Sequence, residues 1–181
     1  MIKDIILHLE RDASRDAVRD FAISTAETFA AHLTGVSEAF TAMVPNYILP
    51  DFPANILADL LAESETAARS AIERFEATAK RSGVSAEARL ILQSDFGPPR
   101  TFSEAARHFD LSVIMQSDDD RGFNNDLLIE ATLFDSGRPL IVVPYTERSG
   151  LKLDRIVCCW DGSRAAARAI NDALPLLRKA N

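Results

Sequence analysis

The chain has 181 residues, 47% of them hydrophobic and 26% charged, with a formal net charge of -7. That length supports one domain, or one and a fraction, with a real core. The acidic balance argues against nucleic-acid binding, which needs a basic surface, and no apolar run of membrane-spanning length and no signal peptide is present.

Taken in order, Ile5 to Leu9 reads as a first strand, and Ser14 as the N-cap of the helix after it. Val18, Phe21, Ala22, Thr25 and Phe29 fall on one stripe of that helix. Leu33 to Phe40 is a second strand. Thr41 to Asn55, with three prolines, is a long irregular connection, read as surface cover or a partner contact. Ile56 to Arg81 is the longest predicted helix, with Leu57, Leu60, Leu61, Ala68, Ile72, Phe75 and Ala79 inward and Gly83 as its stop. Ala86 to Leu92 is a third strand. Pro98 and Pro99 open a short helix with Phe102, Ala105, Ala106 and Phe109 inward. Leu111 to Met115 is a fourth strand, and Gln116 to Asn125 an acidic loop. Asp126 to Asp135 is a helix with Leu127, Leu128, Ala131 and Phe134 inward, ended by Gly137. The run Pro139 to Pro144 is apolar on both faces and reads as a fifth strand buried between two layers.

The segment that follows repeats the start of the chain. Near the N-terminus an apolar strand and an acidic residue lead to Ser14-Arg15-Asp16-Ala17-Val18-Arg19. Near the C-terminus Arg155 to Asp161 lead to Ser163-Arg164-Ala165-Ala166-Ala167-Arg168. A repeat one domain apart suggests tandem units. The expected organisation is a domain over 1–146, a linker over 147–150, and the first β-α unit of an incomplete second copy over 151–181, so that the stop at Asn181 reads as a truncation. Cys158 and Cys159 fall in the expected second-copy strand, where neighbours face opposite sides. They read as two buried thiols without a disulfide, which implies a reducing cytoplasm.

The βαβαβαβαβ alternation predicts an α/β fold: a doubly wound, five-stranded parallel sheet with helices on both faces and right-handed crossovers. Ligands in such folds bind at the carboxyl ends of the strands, near the switch in strand order. The candidate positions there are Glu10 to Asp12, Val36 to Phe40, Gln93 to Gly97 and Gln116 to Gly122.

The five βα units, the strand Pro139-Leu140-Ile141-Val142-Val143-Pro144 and the segment Cys159-Trp160-Asp161-Gly162-Ser163-Arg164 resemble the universal stress protein family, in its two-domain form. The resemblance covers the whole chain. It implies strand order 3-2-1-4-5, with Leu140, Ile141, Val142 and Val143 at the sheet edge as the contact of a homodimer. It also implies a pocket at Glu10, Val36, Gln116 and Ser117, and the start of a second pocket at Asp161, Gly162 and Ser163. Nucleotide-binding members carry an aspartate after the first strand and a glycine-rich run after the fourth, whose backbone amides cradle phosphates. Here the first position is Glu10, and the fourth strand runs into Gln116-Ser117-Asp118-Asp119-Asp120-Arg121-Gly122. Three aspartates oppose a triphosphate.

The expected function is a non-catalytic stress-response module that binds a small molecule or signals, without tight ATP binding in the first domain. The alternative is an adenine-nucleotide binder, for ATP or AMP, with weak or no hydrolysis. A metal site built from Asp95 and Asp118 to Asp120 is the weakest reading, because adjacent residues cannot all converge on one ion. His8, His32 and His108 read as structural or exposed, so no catalytic residue and no metal ligand is assigned.

Overall fold

The computed structural model describes residues 1–39, 54–92, 98–118, 120 and 124–180. The connection expected over 41–55 lies almost wholly outside the described residues, as do Phe40, the positions 93–97 with Asp95, and Asp119, Arg121 and Gly122.

Strand β1, Asp4–His8, has its triplet Ile5, Ile6 and Leu7 fully buried, as a strand covered on both faces requires. The turn after it differs from the expectation. Asp12, not Ser14, is the cap: its carboxylate accepts the Ser14 backbone N–H at 2.9 Å and closes a 3-10 turn over Ala13–Arg15. An aspartate two residues upstream reaches that amide directly. Helix α1 therefore begins only at Ala17 and runs to Phe29. Strand β2, His32–Ala39, pairs with β1 in parallel, His8 opposite Val36. His32 opens this strand, with its Nδ1 2.8 Å from Ser85 Oγ.

Helix α2, Ala54–Ser82, has 29 residues, about 44 Å at 1.5 Å per residue. The eight residues of β2 span only about 27 Å. The helix therefore overhangs the sheet. Ala68, Ala71, Phe75 and Ala79 are buried against it, but Leu60, expected inward, is exposed. The side chain of Leu57 lies outside the described residues. The helix ends as predicted at Gly83, with φ of 71°, and the Val84 N–H reaches back to the Ala79 carbonyl at 3.2 Å.

Strand β3 is Ala86–Leu92, helix α3 Pro98–Ala106, strand β4 Leu111–Met115, helix α4 Asp126–Asp135 and strand β5 Leu140–Val143. His108 falls in the turn beyond α3. All pairings are parallel, and the order is β3-β2-β1-β4-β5, as expected. Two apolar layers cover the sheet. Ile5, Leu7, Leu33, Val113 and Val143 meet α1 and α2 on one face. Ile6, Val36 and Ile114 meet Phe102, Ala106 and Leu128 of α3 and α4 on the other.

Three expectations are corrected. In α4, Leu128 and Thr132 face the core while Leu127 and Phe134 are exposed; the helix is apolar nearly all round, so its sequence period does not select one face. Strand β5 is only partly sandwiched: Val143 and Ile141 join one apolar layer and Leu140 the other, but it is the sheet edge, paired with β4, and Val142 is exposed. Beyond it, Leu153 to Trp160 forms no strand. Among the described residues no sheet neighbour meets its backbone, and a lone strand does not hold itself in water. Val157 is 82% and Trp160 63% exposed, and Cys158 and Cys159 are exposed free thiols rather than buried ones. The helix after it does form. This is α5, Arg164–Leu177, capped by Ser163, whose hydroxyl accepts the Ala166 N–H at 3.0 Å. The segment touches α1 where the Leu151 N–H donates to Ser24 Oγ at 3.2 Å and Lys179 Nζ lies 5.4 Å above the Phe29 ring. No helix among the described residues is long and apolar enough to cross a membrane.

A candidate ligand cleft at the carboxyl ends of the strands

Strand β1 lies between β2 and β4, and the connections to these neighbours run on opposite faces, so its carboxyl end is the switch point of the sheet. A cleft of about 810 Å³ opens there. One wall is the β1–α1 turn with Glu10 and Arg11. The overhanging first half of α2 supplies Leu60, Glu63 and Ser64, and the start of α4 supplies Asn125 and Leu128. Arg74 pins the turn: it bonds Asp16 at 3.0 Å and the carbonyls of Glu10 and Arg11 at 3.3 and 3.1 Å.

The floor is polar and buried. Side chains alternate along a strand, so His8 and Glu38 share the face of Ile6 and Val36, and both line the cleft. The His8 ring stands edge-on to Phe102, centroids 5.5 Å apart. Its Nδ1 lies 3.4 Å from Glu10 Oε1, an ion-pair distance without hydrogen-bond geometry. Burial disfavours the imidazolium, but Glu10 and the charge of Glu38 outweigh it, and His8 titrates above its ordinary value. Glu10 is held from its other side. Asn125 Nδ2 donates to Glu10 Oε1 and to the Met115 carbonyl, both at 3.0 Å, and Ser117 Oγ accepts the Asn125 N–H at 2.9 Å. Glu38 is different. It is 5% exposed, and neither carboxyl oxygen has a hydrogen-bond partner among the described residues. Burial pushes its pKa up to about 7 against the pull of His8 and Arg11. Arg11 acts through its charge, with Nη1 donating to Ser64 Oγ at 2.8 Å.

Of the sequence-predicted positions, Glu10 lines the cleft. Ser117 stands behind it, fixing Asn125 and donating to Asp126. Gln116 is exposed and extends the β4–β5 pairing through its N–H to the Val143 carbonyl at 2.8 Å. Val36 is core, not cleft wall, because it lies two residues before Glu38 on the same face and so packs in the layer of Phe102 short of the strand end. Asp161 and Ser163 are used in capping α5, the Asp161 carboxylate accepting the Ser163 N–H at 2.8 Å; these two and Gly162 are not among the cleft residues. Arg11 and Glu38 lie inside the strand-end ranges that the sequence marks, His8 lines the cleft although the sequence suggests only a structural or exposed place for it, and nothing in the sequence singles out Ser64 or Asn125. For Glu38 the signal was present: Thr34, Val36 and Glu38 share one face of an otherwise buried strand, and a carboxylate there breaks the pattern. Among the described residues, no group of histidine, cysteine and acidic side chains is placed to hold a metal ion.

No family model matches the chain, and no curated protein does. Solved structures do. A universal stress protein family member from Burkholderia pseudomallei superposes with a TM-score of 0.58 at 20% identity, over 79% of this chain and 96% of its own. The universal stress protein UspA from Lactobacillus plantarum gives 0.59 at 16% identity, over 78% and 97%. A universal stress protein from Archaeoglobus fulgidus, solved in complex with dAMP, gives 0.52 at 15% identity, over 79% and 99%. The fold is shared with universal stress proteins.

Proposed function

We propose that the chain is a universal-stress-protein-type module that binds a small ligand in the cleft at the carboxyl ends of β1 and β2 and acts by binding, not by catalysis. The observation that carries this is the 810 Å³ cleft at the switch point, of a size and place suited to a small molecule. Its charge is wrong for a triphosphate. Glu10, Asp12, Glu38 and Glu63 face it against Arg11 and Arg15. An adenine nucleotide such as AMP or ATP is the second reading, favoured by the dAMP complex of the Archaeoglobus fulgidus protein. On the same reading, β5 is the edge through which two copies meet, and residues 151–181 correspond to the start of a second copy, of which the helix, set by the Ser163 cap, is formed and the strand is not.

Two measurements test this. A fragment screen read by nuclear magnetic resonance is expected to move the resonances of Leu9, Ser64 and Asn125; a screen that moves none of them overturns the cleft as a site. Calorimetry with ATP is expected to show no micromolar binding, and micromolar binding would replace the first reading by the second.

A further inference from the structure

Among the described residues, Glu38 is the buried side chain with both of its polar atoms unpartnered. A buried carboxylate ordinarily accepts several hydrogen bonds or stays neutral. Glu38 is nine-tenths buried, both its oxygens lack a partner among the described residues, and it lines an open cleft. The nearby donors among the described residues are engaged elsewhere: Asn125 donates to Glu10 and Met115, and Arg11 donates to Ser64. We infer that the floor of the cleft takes a guanidinium or amidinium group, whose two parallel N–H donors pair with the two oxygens of the Glu38 carboxylate. This rests on the reading of the cleft as a ligand site.

Planar forked cations match a carboxylate with two free oxygens better than a point-charge ammonium does. The surroundings favour a positive guest. From β1 the facing titratable group is His8; from the β1–α1 turn, Glu10, Arg11, Asp12 and Arg15; from α2, Glu63. On the α3 and α4 side Pro99, Asn124 and Asn125 carry no charge, and across the sheet Glu38 pairs in register with Ile91. Four carboxyl groups thus face two arginines and one histidine. The apolar walls at Leu60 and Leu128 suit a short alkyl chain on the cation.

Binding is coupled to ionisation. With no ligand, burial keeps Glu38 protonated into the neutral range; the bound cation requires the carboxylate, so the Glu38 proton leaves for solvent. His8 pushes the same way, since its deprotonation at higher pH removes a repelling charge. Affinity therefore rises with pH through about 7, where Glu38 ionises.

The probes are butylguanidine and butylurea, which share the planar paired N–H edge and differ in charge, titrated into the full chain by calorimetry between pH 5.5 and 8. Butylguanidine is expected to bind at least tenfold more tightly than butylurea at pH 8, to weaken as pH falls, and to release protons on binding below pH 7. The isosteric Glu38→Gln is expected to remove most of that preference and the proton release on binding, leaving only the weaker pH dependence that His8 contributes, with circular dichroism unchanged. Equal binding of the two probes, no butylguanidine binding, or a pH-independent affinity overturns the inference. If fragments move the Leu9, Ser64 and Asn125 resonances while butylguanidine fails, the cation is wrong and the ligand cleft stands; if nothing moves them, both fall.

Discussion

Glu38 ties stability to pH as well as lining the cleft. Its ordinary pKa of 4.5 rises to about 7 in the fold. Below pH 4.5 it is neutral both folded and unfolded, and its burial carries no ionic penalty. As pH rises past 4.5 the unfolded chain ionises first, so folded stability falls until the folded group ionises near 7. A shift of that size corresponds to about 3 kcal/mol. His8, raised above 6.5, acts in the same sense at higher pH. In urea unfolding, Glu38→Gln is expected to gain about 3 kcal/mol on the wild type between pH 4.5 and 8. Parallel stability curves for the two proteins would contradict the buried, unpaired state of Glu38. Little of this residue's environment was legible in the sequence. The strand and its alternation could be read, but the absence of a partner among the described residues depends on where Asn125 and Arg11 send their donors, and those choices are made by tertiary contacts more than fifty residues apart.

Among the elements, α2 and β2 set the site together. The helix lies close enough that Gly35 has no room for a side chain: a Cβ there would fall 2.8 Å from the Phe75 ring and 3.0 Å from Leu9 Cδ1. Gly35→Ala is expected to cost about 1–3 kcal/mol by overpacking and to tilt α2, weakening whatever binds between Ser64 and Glu38; a variant with unchanged melting temperature would show that the helix sits less tightly than this. Element existence and order could be read because each strand is a short apolar run between punctuating Gly, Pro and acidic turns. Faces were less legible. The inward stripe was right at Ala68, Phe75 and Ala79, where α2 crosses the sheet, and wrong at Leu60, where it has passed the sheet edge. A helical period reports a face, not whether anything lies opposite it. In α4 even the face was lost, since Leu127, Leu133 and Phe134 are as apolar as the buried Leu128 and all three are exposed.

At the scale of the whole molecule, β5 and the segment after it leave apolar surface and backbone in the open. The carbonyls of Pro139 and Val143 accept from Ser112 and Gln116 of the β4 side, at 3.0 and 2.8 Å. Backbone groups alternate sides along a strand, so the N–H and C=O of Leu140 and Val142 point away from the sheet. An edge of this kind is a template for a second chain, and a two-fold axis would bring Leu140 and Val142 of each copy opposite one another. Tyr145, Val157, Trp160 and Leu174 add exposed apolar area on the following segment. A homodimer is therefore the proposed assembly. Val142→Pro discriminates it well, because the lost N–H faces outward and the β4 ladder keeps its own bonds. Light scattering at micromolar concentration is expected to give a dimer for the wild type and a monomer for Val142→Pro, with the monomer still folded by circular dichroism. A wild-type monomer, or a dimer that Val142→Pro leaves intact, would rule out pairing through this edge; the exposed surface at Val157 and Trp160 would then need a different occupant.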